Sequence, residues 1–140
     1  MSEFDLVDDV ALVNALLTGA DLGATVTRAL EPDSGQRPPI VLYDLDGSDD
    51  PAIVNGPGLW EVVLSVWVFG VSEAQVWDVA KRVHSTVTRW DVPGVGVLPG
   101  VAGVERASTL QKFRDVWDTD LTTRQLKESN AQFSLLIRSY

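Results

Sequence analysis

Between Leu59 and Trp90 the apolar residues change their spacing from every second position to every third or fourth, and this switch constrains the fold more than any other stretch of the chain. In LWEVVLSVWVF the β-branched and aromatic residues alternate as a strand requires, whereas Val76, Ala80, Val83, Val87 and Trp90 recur on one face of a helix. Ser72 stands where that helix begins, and its hydroxyl is suited to accept from a backbone N–H of the first turn. A strand feeding straight into an amphipathic helix predicts an α+β protein whose sheet carries helices on one face.

The strand has two unlike sides. Trp60, Val62, Leu64, Val66 and Val68 form an apolar face, which is expected to be core. Leu59, Glu61, Val63, Ser65, Trp67 and Phe69 form the other, where Glu61 and Ser65 interrupt the apolar residues. Two arrangements satisfy a mixed face: a second helix laid over it, or contact with another subunit. Under the second, Trp67 and Phe69 are the contact residues, with Glu61 and Val63 beside them.

Near the start, Leu6, Val10, Val13 and Leu17 recur at helical spacing, Asp5, Asp8 and Asp9 are expected in the first turn where the helix dipole favours acids, and Gly19 is the stop. Ala24 to Leu30 predicts a short strand around Thr25, Val26 and Thr27, followed by the loop EPDSGQRPP. Ile40 to Leu45 predicts the next strand, entered through Pro38 and Pro39, which keep the chain extended. GSDDPAIVNGPG then predicts a long exposed connection.

After the second helix, DVPGVGVLPG holds two Pro-Gly pairs and no charge beyond Asp91, and reads as irregular structure, either a packed crossover or a loop used for contact. Val101 to Leu110 reads as a strand. The polar stretch around Phe113, Val116 and Trp117 has room for one helical turn. Gln132 to Tyr140 alternates again, with Phe133, Leu135 and Ile137 on one side, and predicts a closing strand.

Composition narrows the function. A chain of 140 residues, 45% hydrophobic and without an internal repeat, fits one domain spanning residues 1–140 with a sizeable core. It has no cysteine, which excludes disulfide frameworks and thiolate metal sites. The longest apolar stretch, Val62 to Val71, is about half of the ~20 residues a membrane span needs, and MSEFDLVDD puts acids where a signal peptide carries lysines. No membrane association or cleavable export signal is expected. With 11 basic and 20 acidic side chains, the net charge of −9 repels a phosphate backbone, so tight nucleic-acid binding is not expected either.

No catalytic constellation emerges. Asp44, Asp46, Ser48 and Asp50 in DLDGSDD imitate the opening of a calcium loop, but the sixth-position glycine and twelfth-position glutamate are missing, because Gly47 is fourth and Asn55 twelfth. The segment is expected to be an acidic solvated turn. His84 is the only histidine, lies on the flank of the second helix, and cannot be met there by its sequence neighbours Ser85 and Thr86. The glycines of NGPG and PGVGVLPG do not lead into a helix carrying Lys and Ser or Thr, so neither is a phosphate loop. No metal, cofactor or enzymatic activity is expected. Five tryptophans, Trp60, Trp67, Trp77, Trp90 and Trp117, exceed the needs of a small core, and tryptophan is enriched at interface hot spots.

The N-terminal helix, the hairpin through PPIVLYDLDG, the strand-to-helix unit from Leu59 to Trp90 and the terminal strand ending FSLLIRSY together resemble the tail terminator proteins of long-tailed bacteriophages over nearly the whole chain. The resemblance implies an α+β fold in which two principal helices pack on a mainly antiparallel sheet. It further implies a homo-oligomeric, hexameric ring that caps the tail tube protein, ends tube growth and offers its other surface to the head–tail connector or neck protein. Such a ring sits at the head-proximal end of the virion tail after assembly in the host cytoplasm, and DNA passes through its lumen without tight binding. An acidic lumen suits that passage.

In such a ring the candidate subunit contacts are Glu61, Val63, Trp67 and Phe69, and the candidate docking loops carry Asp49, Asp50 and Asn55, and Val95, Val97 and Leu98. The alternatives are a head-completion or neck protein, which would attach to a different ring, and a dimeric small-ligand-binding α+β domain with a pocket between helix and sheet.

Overall fold

The computed structural model describes residues 2–29, 37–47, 59–121 and 124–139. Helix α1 (Ser2–Gly19) leads through the short strand β1 (Thr25–Thr27) to β2 (Ile40–Gly47) and the long β3 (Leu59–Gly70). Helix α2 (Glu73–Thr88) follows, then β4 (Val97–Leu98), β5 (Ala102–Gln111), β6 (Trp117–Leu121) and β7 (Arg124–Ser139). The sheet order is β1-β2-β3-β7-β5-β4, with β6 also paired to β7.

The sheet is mixed, not mainly antiparallel as expected, and the chain is richer in strand than its residue pattern predicts. β1 runs parallel to β2, with Thr25 opposite Ile40, while β2–β3, β3–β7, β5–β7, β4–β5 and β6–β7 pair antiparallel. A parallel pair needs a crossover of about a dozen residues, and the chain between Thr27 and Ile40 supplies that length. The Pro38–Pro39 bond is cis, and the Pro39 carbonyl accepts from the Thr25 N–H at 3.0 Å.

One face of the sheet holds the core. Val62, Leu64, Val66 and Val68 of β3 are buried there, with Val41 and Tyr43 of β2 and Ala131, Phe133, Leu135 and Ile137 of β7. Both helices lie on this face: α1 against β2, β4, β5 and β7, and α2 against β3, β5 and β7. α2 presents Val76, Ala80, Val83 and Val87 as the spacing predicts, and Trp90 is buried just beyond it. Its start is doubly capped, since Ser72 Oγ accepts from Gln75 N at 3.1 Å while Gln75 Oε1 accepts from Val71 N at 2.8 Å. α1 stops at Gly19 as expected, but its buried side is Leu12, Val13 and Leu17. Asp8 and Asp9 lie beyond the first turn of a helix that starts at Ser2, and Asp9 is 2% exposed, so the dipole argument applied to them is corrected. The Tyr43 hydroxyl donates to Asn14 Oδ1 at 2.9 Å and ties β2 to α1.

Three further expectations change. Trp117 opens β6, so the stretch read as a helical turn passes directly into a strand. β7 begins at Arg124, well before Gln132, because its first half pairs with β6 on one edge and β3 on the other. Within DVPGVGVLPG, expected to be irregular throughout, Val97 and Leu98 form β4 against Gly103 and Ala102.

Candidate subunit interface

The alternation that fills the core sends the other half of each strand to the opposite face, where no helix lies among the described residues. Across it, Trp67 stands between Leu42 and Asn130, Ser65 between Asp44 and Gln132, and Val63 between Asp46 and Ser134. Glu61, Asp44 and Asp46 are exposed, and Val63, Ser65, Trp67 and Leu42 are partly buried. Of the two arrangements open for this face, a covering helix is therefore absent among the described residues.

Phe69 differs from the other candidate contacts. It is 3% exposed and packs with Ile40 and Leu126, with Leu42 and Trp67 against them, in a small cluster separate from the main core. The chain itself already satisfies Phe69, which supports Trp67 from behind and offers little surface of its own. Glu128 pairs with Phe69 across the strands; burial raises its carboxyl pKa, opposed by a hydrogen bond with Thr119.

Beside Trp67 the face becomes polar. Ser65, Gln111, Arg114, Asn130 and Gln132 line a recess of about 220 Å³ next to the indole. Gln132 Nε2 donates to Ser65 Oγ at 3.4 Å and Gln111 Nε2 to Asn130 Oδ1 at 3.3 Å. The Arg114 guanidinium lies over the Trp117 ring at 5.5 Å. An aromatic anchor flanked by satisfied polar groups and exposed acids can seat a protein surface.

The docking residues divide. Asp49, Asp50 and Asn55, and with them Ser48 of the acidic segment, lie outside the described residues. Val95 is exposed beside an equally open Val92, on a turn where Gly94 has φ +84°. Val97 and Leu98 are partly buried in β4, with Leu98 packed on the core, so that half of the segment is a strand held in the sheet.

Asp44 lies in β2 as the strand expected over Ile40 to Leu45 requires, but the strand runs on through Asp46 to Gly47 where the acidic segment reads as a turn, and both acids share a face with Trp67. The alternation Ile40, Leu42, Asp44, Asp46 against Val41, Tyr43, Leu45 carries that signal. Asn130 and Gln132, opposite Trp67 and Ser65, are the other members that sequence reasoning missed. His84 is partly buried on α2, its ring 6.1 Å from that of Phe133. No helix among the described residues is long and apolar enough to cross a membrane.

No family model and no curated protein matches the chain. Among solved structures it is similar to a chain of "Virion of native gene transfer agent (GTA) particle", with 14% identity over 91% of each chain and a TM-score of 0.49. A likeness of that size carries no assignment of function.

Proposed function

We propose that this chain is a non-catalytic structural subunit of a phage-like virion, and more narrowly a tail terminator whose hexameric ring caps the tail tube and receives the neck. The observation that carries the reading is the outer sheet face, over which no helix lies among the described residues. Both helices are spent on the other side, while Trp67, Leu42 and Val63 remain partly exposed among acids and amides. Fully buried apolar anchors inside a polar rim are the usual composition of a subunit contact. The net charge of −9 suits a lumen through which DNA slides without being held. The exposed Val92 and Val95 turn is a docking element for the tube or the neck under this reading.

Trp67→Asp tests it. The expected result is loss of the ring in native mass spectrometry, with an unchanged far-ultraviolet circular dichroism spectrum. An unfolded variant would mean that Trp67 serves only the cluster around Phe69. Electron microscopy of particles made without the protein tests the narrower assignment: overlong or unjoined tails are expected, and normal joined tails would reject it.

A further inference from the structure

We infer that a groove between α2 and the β5–β6 connection is the socket for the uncovered sheet face of the next copy, so that each subunit carries one socket and one plug. This rests on the ring reading. The groove has a volume of about 430 Å³ and is lined by Trp77, Ala80 and His84 of α2 and by Phe113 of the connection. Its floor is firm, because the Phe113 ring meets Phe133 edge-on at 6.5 Å and Phe133 is fully buried. Lys81 and Lys112 stand on its rim, both exposed. Among the described residues neither takes part in an ion pair; Arg28, Arg82, Lys127 and Arg138 supply the cations of those that form.

An apolar opening between two uncommitted lysines fits a visitor with an apolar centre and an acidic border. In a chain with 20 acidic and 11 basic side chains, the uncovered face provides that visitor itself. Trp67 and Leu42 form its centre, and Asp46 of β2 and Glu61 of β3 border it, with Asp44, which also faces Arg28 of its own chain at 3.7 Å, between them. The socket lies on the helix-bearing side and the plug on the opposite face, so the contact is heterologous and propagates from copy to copy until rotation closes it. Exposed charges here select and orient the partner, while the aromatic anchor supplies affinity.

Charge reversal tests the pairing in the full chain, read as the protein concentration at half assembly by light scattering and native mass spectrometry. Lys81→Glu with Lys112→Glu is expected to raise that concentration about 10-fold or more at low salt, and Asp44→Lys with Asp46→Lys likewise. Combining all four substitutions is expected to bring it back to within about 3-fold of wild type. Thermal melting of each variant should stay within a few degrees of wild type, since all four positions are exposed and the Arg28–Asp44 pair that one reversal breaks is itself a solvent-screened surface pair of little worth to stability. A wild-type ring unaffected by either reversal, or a fourfold variant no better than the reversed pairs, overturns the socket and leaves the ring reading standing. A protein that stays monomeric alone and on added tail tubes overturns both.

Discussion

Phe133→Ala is the substitution for which the structure gives the fullest account. Phe133 sits at the middle of β7, opposite Leu64 of β3 and Thr109 of β5, and is 0% exposed. Its ring meets Phe113 at 6.5 Å and His84 at 6.1 Å, so it joins the sheet to α2 and to the β5–β6 connection at once. Removing a buried phenylalanine ring costs about 3–5 kcal/mol through lost transfer energy and the cavity left behind. The aromatic neighbours add ~0.5–1.5 kcal/mol beyond burial, which places this site in the upper part of that range. For 140 residues, an unfolding entropy of about 2.1 cal/mol/K per residue gives ~0.3 kcal/mol/K in total. A loss of about 4 kcal/mol therefore lowers Tm by roughly 14 °C, a large share of the ~5–15 kcal/mol that holds such a domain. Urea unfolding should show a lower midpoint with an unchanged slope. Phe113→Ala, combined in a double-mutant cycle, should return a coupling of about 0.5–1.5 kcal/mol. A Tm shift below about 4 °C would refute the inner-face register of β7 and the core built on it.

Two further outcomes follow from single positions. Gly96→Ala would place a Cβ 2.3 Å from the Trp90 carbonyl oxygen and 2.8 Å from Trp90 Cβ, so it should cost at least ~2 kcal/mol, whereas Gly19→Ala, with nothing within 4 Å, should be near neutral; equal melting temperatures would contradict the close approach. Burial holds the Glu128 carboxyl above its ordinary value of 4.5, so its favourable contribution exists below that value and is lost as pH rises through the folded pKa; Glu128→Gln should match wild type at low pH and melt higher at pH 7, and a lower melting temperature at pH 7 would reject this.

How much could be read in advance depended on whether burial and periodicity coincided. β3 and α2 were legible because each buries one clean stripe, and Ser72 marks the boundary between them. β6 was not, although Trp117, Thr119 and Leu121 alternate with Asp118 and Asp120, because aspartate is depleted in strands and the Thr122-Thr123 connection lacks the glycine or asparagine that signals a two-residue hairpin. The first half of β7 was hidden in RQLKESN, where strand pairing is held by its two neighbours and by the exposed Lys127–Asp118 ion pair across β6. In α1 Val13 and Leu17 are buried as their spacing predicts, but Leu12 joins them at 0% exposure while Val10 is only partly buried, so the stripe is centred beside the expected one. The mixed face of β3 announced that something was unusual but not what covers it, since the same residues suit a helix or a partner. Its acidic neighbours on β2 were readable by alternation, and the calcium-like spacing of DLDGSDD drew the reading toward a turn.

The placement of β7 has a consequence for how the chain is made. This strand lies between β3 and β5 and also binds β6, yet it is the last of them to leave the ribosome. Until residues 124–139 emerge, β3 has one vacant edge, β5 has only the two-residue β4 beside it, and Phe133, Leu135 and Ile137 are missing from the face that α2 must cover. At roughly 5–20 residues per second, translation from Gly70 to Arg124 takes on the order of several seconds. Throughout that interval the uncharged run from Val62 to Val71 is a nascent strand with an open edge, the kind of segment that seeds aggregation. Holding factors that bind extended apolar peptide have their window here, and it closes when β7 arrives and zips three strands together in one vectorial step.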